Sequence, residues 1–141
     1  MLAGSITAAE AAENLRLREG ISYVHDVDKG FPIIAEKIDD LKIENNKANF
    51  IFFGAAGDLN TNRQAKRVVE LYKKYEKHPL KFIVCDVDKV TTPEGKQLIK
   101  NFYQGYIPQV VVIDKEGKPA WSHIGEIDNG AIVAQIEKVL Q

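Results

Sequence analysis

A single cysteine, Cys85, occurs in the 141 residues of this chain. One thiol cannot close an intrachain disulfide, form a Cys-x-x-Cys redox pair or build a cysteine-rich zinc site. Histidine is also scarce: His25, His78 and His123 are isolated, with no H-x-x-x-H or H-E-x-x-H spacing to put two ligands on one helix face. Neither a metal nor an organic cofactor is therefore expected. Excess charge is missing as well, since 19 Lys and Arg stand against 20 Asp and Glu. A net charge of −1 gives no overall field to attract nucleic acid or an anionic membrane. No apolar run approaches the roughly 20 residues that span a bilayer. The first residues have neither the basic start nor the long apolar stretch of a secretory signal. These features fit a soluble chain, cytoplasmic as it stands or extracytoplasmic after removal of a signal. Internal repeats and low-complexity linkers are absent too, which leaves one compact unit.

What is present is an ordinary core-forming composition, 45% hydrophobic and 28% charged. Thr7 and Glu10 have the form of a capping box, so an N-terminal helix is expected from Ala8 to Glu19, closing at Gly20. Ile21 to His25 suits a strand. A second helix is expected from Pro32, with the stripe Ile33, Ile34, Ile38 and Leu41. Residues 1–20 are thus read as a helical extension and residues 21–141 as the domain. From Ala48 the pattern becomes regular. Phe50 to Phe53 is a continuous apolar run bounded by Gly54, as in a strand buried on both faces. After Gly57-Asp58-Leu59-Asn60, Thr61 and Gln64 form a second candidate capping box, and Ala65, Val68, Val69, Tyr72 and Tyr75 recur at helical spacing. Phe82 to Cys85 reads as another buried strand, and Thr92-Pro93-Glu94 opens a further helix. Val110 to Ile113 and Ala120 to Ile124 form a hairpin through Lys115–Lys118, and Asp128 or Asn129 caps a last helix. This order describes an α/β sandwich around a mixed sheet of about five strands.

On these residues the sequence resembles the thioredoxin superfamily over about residues 49 to 141. The resemblance rests on the strand Phe50–Phe53 feeding a Gly/Ala loop and long helix, and on the Val84-Cys85-Asp86-Val87-Asp88 strand ending. It rests also on Ile107-Pro108 just before the next strand, where the family keeps a cis-proline, and on the Lys115–Lys118 turn with Gly125 after the last strand. It implies a thioredoxin-like fold. The stretch that would hold the family's Cys-x-x-Cys is Gly57-Asp58-Leu59-Asn60, with neither cysteine, and Ile51 stands where thioredoxin has a buried acid. Dithiol exchange needs an activated thiolate at a helix N-terminus and a second thiol to resolve the mixed disulfide. Asp58, Asn60 and Thr61 offer capping oxygens there instead.

The expected function is accordingly that of a redox-inactive domain that binds a polypeptide partner. Its candidate contacts are Gly57, Asp58, Leu59, Asn60, Ile107, Pro108 and Gln109, which the resemblance places in two facing loops that present backbone groups to extended chains. No catalytic residue is assigned. The rival reading is a thiol–disulfide oxidoreductase. It would work through Cys85 alone, with glutathione or another protein supplying the second sulfur, or through cysteines that Gly57 and Asn60 replace. The apolar Phe82, Ile83 and Val84 beside Cys85 favour a buried, structural thiol. The segment Ile83 to Val90 also resembles the nucleophile motif of haloacid-dehalogenase-type phosphatases, but too little chain follows Asp88 to complete such a domain. Lys66, Arg67, Lys73, Lys74 and Lys77 alternate with Glu70 and Glu76, the pattern of a solvated helix face. Trp121 and Tyr106 flank the proline loop, where they serve either packing or peptide contact.

Overall fold

The computed structural model describes residues 13–141. Its centre is β3 (Ala48–Gly54), in which every residue is buried. The sheet order is β4-β3-β5-β6, with β4 (Leu80–Asp86) parallel to β3, and β5 (Gln109–Ile113) and β6 (Pro119–Ile124) antiparallel to their neighbours. The remaining elements are β1 (Arg16–Leu17), β2 (Ile33–Ile34), α1 (Leu59–Tyr75), α2 (Pro93–Phe102) and α3 (Asn129–Leu140).

Because strand side chains alternate, the apolar runs of β3, β4 and β5 feed two cores at once. Phe50, Phe52, Phe82, Val84, Val110 and Val112 face α1 and α3, and Tyr72 of α1 meets Phe82 edge-on at 5.5 Å. Ile51, Phe53, Ile83, Cys85, Val111 and Ile113 face the other way, onto Leu98 of α2. The β3–α1 junction is tight: a Cβ at Gly54 would lie 2.5 Å from Cγ2 of Thr61. Only glycine lets the helix approach the strand end so closely.

The caps explain where the helices begin. Thr92 accepts from the N–H of Gly95, and Pro93 takes the first position of α2, where a missing N–H costs nothing. For α1 the capping residue is Asp58, whose Oδ2 accepts from Thr61 N at 2.8 Å and from Thr61 Oγ1 at 2.7 Å. Thr61 is therefore the third residue of the helix, not its cap. Gln64, the expected partner in a capping box, accepts instead from Ile127 N at 2.9 Å and ties α1 to the approach to α3. Asp128 holds the cap position of α3 without a side-chain bond.

The segment before Ala48 departs from expectation in three places. The N-terminal helix read over Ala8–Glu19 lies mostly outside the described residues, and from Glu13 onward the chain is turn and strand. Asn14 has φ 56, a left-handed conformation that interrupts any helix, and its N–H donates to the Tyr72 hydroxyl at 3.1 Å. The strand expected over Ile21–His25 is a bend, because Oγ of Ser22 captures the N–H groups of Val24 and His25 that a ladder would need. The helix expected from Pro32 is also absent. Ile33–Ile34 pair with Arg16–Leu17 as a separate two-stranded sheet, with Pro32 O accepting from Arg18 N at 2.8 Å. Adjacent β-branched isoleucines do not share a helix face, and burying Ile33 against the large core favours the extended form. The central sheet thus has four strands rather than five.

Candidate functional site

Pairing of Phe53 with Gln109 brings the C-terminal end of β3 beside the start of β5. The β3–α1 loop and the proline loop consequently emerge at the same end of the sheet. Gly57 lies in the first loop with φ +84, and a Cβ there would meet Cβ of Asp28 at 3.4 Å. A cysteine at that position would carry the strain of a left-handed backbone. The two side chains that face each other three residues apart across the helix start are Asp58 and Thr61, one residue later than the Gly57–Asn60 spacing expected. Asp58 is committed to capping, and Asn60 points into solvent.

In the second loop the Ile107–Pro108 peptide is cis. The Pro108 carbonyl accepts from Gly125 N at 2.7 Å, which fastens the loop to the end of β6. Gln109 is fully buried: Oε1 accepts from Gln104 N at 2.9 Å, and Nε2 donates to Phe102 O at 2.9 Å. Its side chain braces the loop after α2 and is not available to a partner. Ile107 differs from both neighbours, since neither its N–H nor its C=O bonds to any described residue. Tyr106 beside it is 68% exposed, whereas Trp121 packs on the core and stacks on His123 at 6.1 Å.

A third component was not legible in the sequence. Residues 22–28 cross the start of α1, with Asp26 Oδ1 accepting from Leu59 N at 2.8 Å. Asn62 Nδ2 donates to Ser22 O at 2.8 Å, and Arg63 Nε donates to Tyr23 O at 3.1 Å. Asp58 and Asp26 together satisfy N–H groups that the first helical turn leaves open, and both carboxylates suit its positive end. The segment closes in a side-chain turn at Asp28-Lys29-Gly30, with Gly30 N donating to Asp28 Oδ1 at 2.9 Å.

Cys85 lies away from the helix start, in β4 beside Phe53, with 1% exposure. Burial pushes its thiol up to about 12, and the charge of Asp86 adds to the shift. At neutral pH this is a protonated, enclosed sulfur. Asp86, at the end of β4, has its own carboxyl raised, chiefly by burial, with the charges of Asp88 and Asp28 contributing against Lys89 and the Asp88 N–H. On the outer face of α1, Arg67 pairs with Glu126 at 3.1 Å and Arg63 with the same carboxylate at 3.7 Å, so these charges are internally balanced.

Solved structures with this arrangement include thioredoxins. Thioredoxin-2, a component of malaria parasite protein secretion machinery, superposes with a TM-score of 0.56 at 19% identity over 68% of this chain and 86% of its own. Reduced thioredoxin pre-protein of Schistosoma mansoni gives 0.54 at 22% identity, covering 68% of this chain and 82% of its own. Mitochondrial thioredoxin 3 of Saccharomyces cerevisiae, oxidised, gives 0.52 at 22%, covering 73% and 87%. No family model and no curated protein matches the sequence. The chain has the thioredoxin fold and lacks the Cys-x-x-Cys pair.

Proposed function

We propose that this is a redox-inactive, polypeptide-binding domain built on the thioredoxin fold. The observation that carries the reading is Ile107, whose N–H and C=O, immediately before β5, have no partner among the described residues. Free main-chain groups at a strand end are what an extended chain pairs with, and exposed Tyr106 offers it an aromatic surface. Gln109 and the Pro108–Gly125 bond hold the loop in place before binding, which lowers the ordering cost of association. Gly57 allows a partner backbone to approach the start of α1.

The reading is tested by amide-shift mapping with an unfolded polypeptide, reduced and carboxymethylated α-lactalbumin. Shifts are expected at Tyr106, Ile107 and residues 57–60, with Tyr106→Ala weakening binding by about fivefold. Contacts confined to other surfaces would overturn it. The competing oxidoreductase reading depends on Cys85, and its reactivity is a separate measurement. With its thiol near 12, native Cys85 should react with a thiol reagent about a thousandfold more slowly than free cysteine at pH 7. A rate equal to that of free cysteine would favour monothiol chemistry.

A further inference from the structure

We propose that residues 22–28 are a displaceable strap that occupies the polypeptide-binding surface in cis, and that the partner displacing it is an extended acidic segment. This rests on the polypeptide-binding reading above. In its hydrogen bonds to α1 the strap is the acceptor: the Ser22 and Tyr23 carbonyls take protons from Asn62 and Arg63, and the Asp26 carboxylate takes that of Leu59 N. A competing chain must bring the same groups, two main-chain carbonyls followed by a carboxylate, or leave these donors unpaired. The charge of the surface agrees with this requirement. Asp26 meets the positive end of a 17-residue helix, and in the adjoining cleft Lys66 pairs with no carboxylate among the described residues, whereas Arg63 and Arg67 are already paired with Glu126.

The strap is also built to leave. None of its residues is buried, Val24 is 68% exposed and Val27 37% exposed, so no apolar anchor would be lost on opening. A cleft of about 370 Å³ adjoins it at Tyr23, lined also by Arg63, Lys66, Arg67 and Glu70. Lys66 Nζ stands 5.6 Å from the Tyr23 ring across this space. A segment held by a few polar bonds at the surface opens at far lower free energy than the core does. Occupancy by the strap lowers the apparent affinity of a partner by the fraction of time the surface is covered.

The experiment titrates a synthetic peptide of residues 21–30 into the labelled full chain and into its Asp26→Ala variant, following the amides of residues 57–63. The peptide is expected to shift Leu59 and Asn62 in both chains, about fivefold more tightly in Asp26→Ala. The same peptide carrying Asp26→Asn should bind the variant about fivefold more weakly. Equal affinity for the two chains, indifference to the acidic residue, or the absence of shifts at the start of α1 would each overturn the strap. Carboxymethylated α-lactalbumin is the parallel probe. If it touches neither loop while the strap peptide still exchanges at Leu59, the polypeptide-binding function falls and the strap exchange stands. If the polypeptide binds at Ile107 and residues 57–60 with the same affinity in both chains, the function stands and the strap falls.

Discussion

The start of α1 has two sides of very different construction. On one side β3 enters with every residue buried and places Gly54 against Thr61 so closely that no Cβ fits. On the other, residues 22–28 lie over the same helical turn with no buried residue among them, held by polar bonds. Core packing that accumulates many dispersion contacts is rigid, while exposed hydrogen bonds contribute little net free energy because water competes for both partners. The candidate site therefore has a fixed floor and a loosely held cover. A binding surface gains from this pairing: the floor supplies preorganised donors, and the cover opens without disturbing the fold.

The contrast is broken most directly by mutating both sides. Phe52→Ala, at a fully buried position facing α1 and α3, should cost about 3–5 kcal/mol in denaturant unfolding. Val24→Ala in the cover should stay within about 0.5 kcal/mol. Comparable losses at the two positions would mean that residues 22–28 belong to the same cooperative unit as the sheet. The next effect sharpens the boundary itself. Asp58→Ala removes the acceptor for both the N–H and the hydroxyl of Thr61 and should cost about 1–2 kcal/mol. Amide exchange should speed up first at Thr61, and an unchanged Thr61 rate would show that Asp58 does not hold the end of α1.

The same division governed what could be read from the sequence. Phe50–Phe53, Phe82–Cys85 and Val110–Ile113 announce themselves because each run is apolar on both faces and bounded by Gly, Asp or Pro, so the mixed sheet and its helices follow from local pattern. Before Ala48 the signals conflict. Ile33, Ile38 and Leu41 read as a helical stripe, but burial of Ile33 against the core outweighs it, and Ser22 diverts N–H groups that a strand would use. At the site, Asp58 was legible as a capping residue and Pro108 by its place before β5. The true cap pairing of Asp58 with Thr61 lay three residues before the Thr61 and Gln64 pair, which mimics a capping box. Asp26 was invisible for a physical reason: its partner is 33 residues away, and nothing local distinguishes a carboxylate that reaches a helix end from one in solvent.

The smallest effect probes the acidic edge where the cover meets β4. Burial raises the Asp86 carboxyl, and the neighbouring charges of Asp88 and Asp28 oppose its ionisation further. An acid whose folded pKa lies above its unfolded value binds protons more tightly when folded. Its contribution is most favourable below the ordinary carboxylate range and is lost as pH rises through the raised pKa. Asp86→Asn keeps an oxygen to accept from Asp88 N, a bond of 3.1 Å, while removing the charge. The variant should therefore melt at a slightly higher temperature than the unaltered chain at pH 7, and the gain should shrink to nothing as the pH is lowered and Asp86 becomes neutral by protonation. The expected signature is two melting curves that converge in acid. A gain that persisted at low pH would locate the effect in packing, and a lower melting temperature at pH 7 would mean that the ionised carboxylate is stabilised where it stands.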